Sequence, residues 1–174
     1  MLFIQADGNC FFRCVASFLN EDLFHANRSS NGRINNKALR EKETNFAKFL
    51  RFSAVNVIET QKTRFEDELS YDSDFYSSID DRIEKMYNNG EYAGRIEMQV
   101  LSRMYKIRFN IYMLNDDRYN LTNTIGSETY RQCNLLLNND HFEIITDEIE
   151  VNCDEESDLE IVDNIELSII QEEE

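Results

Sequence analysis

The stretch Asp7-Gly8-Asn9-Cys10-Phe11-Phe12-Arg13-Cys14 decides how the chain is read. A short apolar run, Leu2-Phe3-Ile4, leads into it. Asp-Gly punctuates the backbone as a turn. From Cys10 to Leu19 apolar residues recur at helical spacing. The spacing predicts a strand or extended lead-in, a tight turn, and a helix whose first turn holds Cys10. A thiol in that place meets unpaired backbone N–H groups and the positive end of the helix dipole, which favours its thiolate. Those N–H groups, with the ones in the turn at Asp7, Gly8 and Asn9, are suited to receive the oxyanion of an attacked carbonyl. Gly8 lets the backbone approach closely. Free cysteines are also among the most buried residue types, so a structural role for Cys10 competes with a catalytic one. A second constellation, near residue 141, favours the catalytic reading.

Asn134-Leu135-Leu136-Leu137 reads as a buried strand, and Asn138-Asn139-Asp140 as a tight connection. His141-Phe142-Glu143-Ile144-Ile145 then reads as a short strand. Strand alternation sets His141 and Glu143 on one face, with Phe142 and Ile144 on the other. A histidine followed two places later by a carboxylate on its own face is a base with an orienting partner. Asp7 competes with Glu143 for that orienting role. A half-exposed edge strand gives the same alternation with no chemistry attached.

Between the two constellations the pattern is mostly helical. Residues 25–38 read as a polar loop, with His25 at a loop or helix end. From Asn36 onward, Leu39, Phe46, Phe49, Leu50 and Val57 line one broad face, widened by Phe52 and Ile58. One long helix and two helices broken near Ser53 both fit. Ser70-Tyr71-Asp72-Ser73-Asp74 reads as a turn, with Asp74 as N-cap of a helix from Phe75 to Asn88. Asn88-Asn89-Gly90 ends that helix, and Tyr92-Ala93-Gly94 turns the chain again. Glu97, Val100, Leu101 and Met104 mark a further helix ending near Tyr105. Ile107 to Leu114 alternates as a strand, and Tyr119 to Thr124 forms a second.

The 174 residues suit one domain, and 41% hydrophobic content supports a sizeable core. The four cysteines, Cys10, Cys14, Cys133 and Cys153, show no C-x-x-C spacing, and the only histidines are His25 and His141. No metal site is therefore expected. No signal peptide is expected, and no apolar stretch is long enough to cross a bilayer. Reduced thiols in a cytosol-like compartment follow. The net charge of −16 is uneven: residues 147–174 hold thirteen Asp or Glu and no Lys or Arg, against 21 acidic and 18 basic residues elsewhere. The expected division is a folded body, residues 1–146, and an acidic tail, residues 147–174. No basic stripe is present to neutralise phosphates, so nucleic acid is not an expected partner. A basic protein partner is electrostatically easier. In the tail, Ile161, Ile165 and Ile169 recur every four residues, with Leu159 and Val162 beside them. A short amphipathic helix, packing back on the body, an extra strand and disorder all remain open. The absence of proline, with abundant Asn, Ile and Tyr, fits an AT-rich coding genome of viral or intracellular bacterial origin.

Taken together, the motifs carry a family resemblance. Asp7-Gly8-Asn9-Cys10-Phe11-Phe12-Arg13 resembles the nucleophile motif of the OTU (ovarian-tumour) cysteine proteases. Tyr92-Ala93-Gly94-Arg95-Ile96-Glu97-Met98-Gln99-Val100-Leu101-Ser102 resembles that family's central turn and helix. Ile107 to Tyr112 resembles the strand after it, and His141-Phe142 the histidine-aromatic pair. The matches run in the family's order over residues 2–146. The resemblance implies an α+β, papain-like OTU fold with a small mixed or antiparallel β-sheet packed between helices. It implies a monomeric, cofactor-free deubiquitinase acting on ubiquitin, polyubiquitin or a ubiquitin-like modifier in the cytosol, the host's if the source is a pathogen. Cys10 is the implied nucleophile, His141 the base, and Asp7, Gly8, Asn9 and Cys10 the oxyanion loop. Glu143 stands where the family more often has Asp or Asn, so the orienting residue stays open between it and Asp7. Ala93 stands where glycine is frequent. The chain begins close to the motif, so the helix that many members carry before it is expected to be missing. The ubiquitin tail carries arginines before its Gly-Gly, and by position Glu91, Glu97, Asp116, Asp117 and Asp140 are candidates for an acidic groove. The tail faintly resembles a ubiquitin-interacting helix, although Asn164 stands where that motif has alanine. Two other classes fit the same residues: a catalytically silent ubiquitin-binding module, and a papain-like enzyme for another acyl substrate.

Overall fold

The lead-in run finds its partner near the far end of the sequence. The computed structural model describes residues 1–66, 76–88, 90–116 and 118–146. In it Leu2 bridges Ile144 antiparallel, the Leu2 N–H donating to the Ile144 carbonyl at 2.7 Å and the Ile144 N–H returning at 3.2 Å. The turn at residue 7 then sends the chain into α1, Cys10–Leu19. Among the described residues, the elements follow one another as α1, α2 (Glu21–Phe24), α3 (Lys37–Thr60), α4 (Lys62–Glu66), α5 (Ile79–Tyr87), α6 (Arg95–Tyr105), β1 (Ile107–Asn115), β2 (Arg118–Ile125), β3 (Arg131–Asn138) and β4 (His141–Ile144). His25 is the C-cap of α2.

From Asn36 the chain forms one unbroken helix, α3, of 24 residues. Asn36 caps it by accepting the Leu39 N–H at 3.1 Å. Its buried stripe is Glu43, Ala47, Leu50, Arg51, Ala54, Val55 and Ile58. That corrects the expected face: Phe49 and Phe52 are 56% and 47% exposed. The small residues Ala47 and Ala54 occupy the stripe that packs on α1 and α6, and the aromatic rings lie beside it. They pair at the surface instead, Phe46 with Phe49 and Phe52 with Tyr87. The next helix starts later than the sequence implies. α5 begins at Ile79, with Ser78 as N-cap accepting the Asp81 N–H at 3.1 Å. Asp74 lies outside the described residues, as do Asp117, Cys153 and the tail at 147–174.

The sheet is mixed, in the order β2-β1-β3-β4. β1 pairs antiparallel with β2 and parallel with β3, and β3 pairs antiparallel with β4. Because β3 must return beside the start of β1, the chain crosses close under it at Gly126. That residue has φ 110°, and a Cβ there would sit 2.4 Å from Ser102 Oγ and 2.8 Å from the Ile107 carbonyl. Ile107, Phe109 and Ile111 of β1 point into the main core with Phe11, Phe12, Val15, Leu50, Leu101 and Phe142. The other face carries a small cluster of Tyr112, Leu136 and Ile145, beside a polar ladder in which Asn110 donates to Asn134 at 2.9 Å. Among the described residues, no helix is long and apolar enough to cross a membrane.

The consequence for the site is geometric. α1 packs against β4, so the first turn of the helix and the start of the last strand meet. Phe11 touches both Phe109 and Phe142 edge-on, with centroids 5.2 Å and 5.7 Å apart. Those contacts fix where Cys10 stands relative to His141.

Candidate active site

Cys10 is the first residue of α1. Its Sγ accepts the Phe142 N–H at 3.4 Å and donates to the Asp140 carbonyl at 3.8 Å. The sulfur is therefore held by the two residues on either side of His141. His141 is half-buried. Its Nε2 lies 3.6 Å from Glu143 Oε1, and its Nδ1 is buried with no hydrogen-bond partner. The alternation read from the sequence does place His141 and Glu143 side by side.

The expected thiolate is not what the surroundings favour. Cys10 is only 2% exposed. Burial pushes its thiol up from the ordinary value; the N–H groups of Phe142 and Phe11 oppose that shift, and the Asp7 carboxylate adds to it. The helix terminus supplies its donors, but desolvation outweighs them. Cys14, one turn on, is fully buried and donates to the Phe142 carbonyl at 3.5 Å.

Asp7 is occupied elsewhere. Arg13 donates to it through Nη2 at 2.6 Å and through Nε at 3.2 Å to each oxygen. The Asn9 N–H donates to Asp7 Oδ1 at 3.2 Å. That carboxylate thus closes the turn on itself. Gly8 has φ 69°, and a Cβ on it would fall 1.7 Å from the Gly90 carbonyl oxygen. No side chain fits there, because the turn is pressed against the segment leading to α6.

The carboxylates proposed for an acidic groove are scattered. Asp140 is exposed beside the sulfur and lines a cleft of about 370 Å³ with Tyr92, Gly94, Met98, Thr122 and Phe142. Asp116 is exposed at the tip of the β1–β2 hairpin. Glu91 is half-buried, and its carboxylate accepts from the Tyr76 hydroxyl at 3.0 Å. Glu97 does not face a groove at all. It is 0% exposed, pairs with Arg82 through both oxygens, the Nε contact being 2.9 Å, and accepts the Gly94 N–H at 2.8 Å. It caps α6 from within the core. A larger polar cleft of about 550 Å³ includes Arg13 and Arg40, and neither cleft is lined by Cys10 or His141 themselves.

The family model for OTU-like cysteine proteases matches residues 5–145. The chain belongs to the OTU-like cysteine protease family. Its fold is the α+β, papain-like OTU fold. No curated protein matches the sequence. Among solved structures, the OTU domain of OTUD1 is similar with a TM-score of 0.56 at 16% identity, over 83% of each chain. The viral OTU domain protease from Dera Ghazi Khan virus gives 0.55 at 20% identity, over 81% of this chain and 76% of that one. The Qalyub virus protease gives 0.51 at 23%, over 82% and 80%. These likenesses are of fold.

Two buried charged groups beside this OTU-like site have no signal in hydropathy. Glu43 accepts from Arg13 at 2.9 Å, Arg28 at 2.8 Å and Ser17 at 3.4 Å. Arg51 reaches the turn at residues 8 and 9 from the middle of α3. Both sit on a helix where Lys, Arg and Glu read as a solvated face. The one available hint is their helical spacing, eight residues apart and on the same face as Ala47, Leu50 and Ala54.

Proposed function

We propose that the chain is a thiol-dependent deubiquitinase, hydrolysing the bond to the C-terminal glycine of ubiquitin or a ubiquitin-like modifier. The observation that carries this reading is the unpartnered Nδ1 of His141, on a ring flanked by the two residues that hold the Cys10 sulfur. A buried imidazole nitrogen without an acceptor or donor is costly unless something completes it. The thiol proton does so at the moment of attack.

The steps follow from that placement. Substrate displaces the Asp140 carbonyl from the thiol, and His141 takes the proton as the sulfur attacks the glycine carbonyl. Glu143, at Nε2, holds the ring in the tautomer whose Nδ1 is free and stabilises the imidazolium. The oxyanion develops toward the N–H groups of the first turn of α1, which have no intrahelical acceptors. The Asn9 N–H is already given to Asp7, which leaves Cys10 as the principal donor of the loop. Protonated His141 then gives its proton to the departing lysine amine. Water, deprotonated by the same ring, releases the glycine acid from the thioester. Asp140, at the cleft beside the sulfur, suits the arginines of the ubiquitin tail. The described cysteines, Cys10, Cys14 and Cys133, are all free thiols.

The burial of Cys10 favours a second reading, a ubiquitin-binding module whose thiol stays silent. The two separate on hydrolysis of ubiquitin carrying a fluorogenic amide and of linked diubiquitin. The enzyme reading expects cleavage by the wild type, none by Cys10→Ala, and most of it kept by Cys14→Ala. Wild-type rates in Cys10→Ala would remove the nucleophile assignment. A panel of other modifiers distinguishes a different acyl substrate.

A further inference from the structure

Arg51 stands on α3, 1% exposed and 42 residues from the turn it touches. Its Nε and Nη2 donate to Asn9 Oδ1 at 3.1 and 2.9 Å. Nη2 also donates to the Gly8 carbonyl at 3.1 Å and the Glu91 carbonyl at 2.5 Å. Nη1 donates to the Met86 carbonyl at 3.3 Å. The guanidinium lies over the Phe12 ring, 4.5 Å from its centroid.

This pattern fixes a direction. The Gly8 carbonyl and the Asn9 N–H belong to one planar peptide and point opposite ways. With the carbonyl held by Arg51, the N–H turns to Asp7, as observed at 3.2 Å. The next N–H, that of Cys10, opens α1, and its aim depends on how this peptide is rolled. The same guanidinium holds carbonyls at Met86 and Glu91, on either side of the segment that Gly8 presses against and that leads to Tyr92 at the cleft wall. A lysine is a point charge and does not span acceptors in three segments as the planar fork does.

We propose that Arg51 is the positioning residue of this site, tying the oxyanion turn and the cleft wall to the rigid helix α3 so that the Cys10 N–H is aimed before substrate arrives. The inference rests on the hydrolase reading and deepens it.

Two reactions separate positioning from bulk structure. Hydrolysis of a ubiquitin amide passes through an oxyanion. Labelling by ubiquitin ending in propargylamide is addition of the thiol to an alkyne and forms none. Arg51→Lys is expected to lower kcat for hydrolysis by about 10²-fold, in the range for a misplaced oxyanion donor, with KM and alkyne labelling little changed. Asn9→Ala, which removes the shared acceptor from the other side, is expected to act through the same contact. The double variant is then no slower than the slower single variant. Both variants are checked for folding by circular dichroism, and Asn9→Ala carries the test if Arg51→Lys does not fold. Hydrolysis and labelling falling in parallel, additive losses, or undiminished hydrolysis each overturn the positioning role. A wild-type chain that performs neither reaction overturns the hydrolase reading instead. The turn is then read by amide hydrogen exchange at Asn9 and Cys10, which Arg51→Lys must accelerate; unchanged exchange overturns the proposal.

Discussion

At His141 the two ring nitrogens have different neighbours, and that difference assigns work to the carboxylates around them. Nε2 faces Glu143 at 3.6 Å, while Asp7 is spent on Arg13 and on the Asn9 N–H. The separation at Glu143 is loose for a hydrogen bond, as is common before substrate tightens a catalytic set. Glu143→Gln is therefore expected to lower kcat by about 10²-fold, the low end for an impaired acid–base residue. Asp7→Asn is expected to cost less activity and about 1 kcal/mol of stability through weakened bonds to Arg13 and Asn9. Steady-state rates and urea unfolding of both variants check this. A silent Glu143→Gln beside a crippled Asp7→Asn would exchange the two roles. The histidine, the cysteine and their carboxylate neighbour were legible because turn chemistry and strand alternation act within a few residues. The burial of Cys10, which pushes its thiol up, was not, because the β4 residue that contacts the sulfur lies 132 residues away in sequence.

Among the elements, the helices show why some charged residues resist a sequence reading. Glu97 and Arg82 sit on amphipathic helices and look solvated, yet they are 0% and 1% exposed and neutralise each other between α5 and α6. Leaving one such charge without its partner is expensive. Glu97→Gln is expected to destabilise the fold by about 3 kcal/mol, with KM for a ubiquitin substrate unaltered. Chemical denaturation with an unchanged m-value is the measurement. A raised KM with undiminished stability would return Glu97 to the groove. Phe49 and Phe52 err the other way: aromatic residues at helical spacing read as core, but the packed stripe of α3 runs through Ala47, Leu50, Arg51 and Ala54. Periodicity reveals that a helix has a buried face. Which arc is buried depends on the partners, here α1 and α6, that tertiary structure brings to it.

For the whole molecule, the order of the longer elements was legible, since each carries its own period and its own turn; the short helices α2 and α4 were not, because four or five residues hold no period. The parallel pairing of β1 with β3 was not, because nothing local marks a return across the start of β1 except Gly126. The acidic tail at 147–174 lies outside the described residues, and we infer that the chemistry does without it. Removing residues 155–174 is expected to leave cleavage of ubiquitin from a small leaving group nearly unchanged. Loss of that minimal reaction in a truncated protein that stays folded by circular dichroism would make the tail part of the site. The central claim is that Cys10 is a nucleophile served by His141, and covalent capture tests it most directly. Ubiquitin bearing a C-terminal alkyne is incubated with the full chain, and the adduct is mapped by mass spectrometry. One ubiquitin is expected at Cys10, lost in Cys10→Ala and strongly slowed in His141→Ala; attachment at Cys14 or Cys133, or no adduct with the folded wild type, would contradict a nucleophilic Cys10 served by His141.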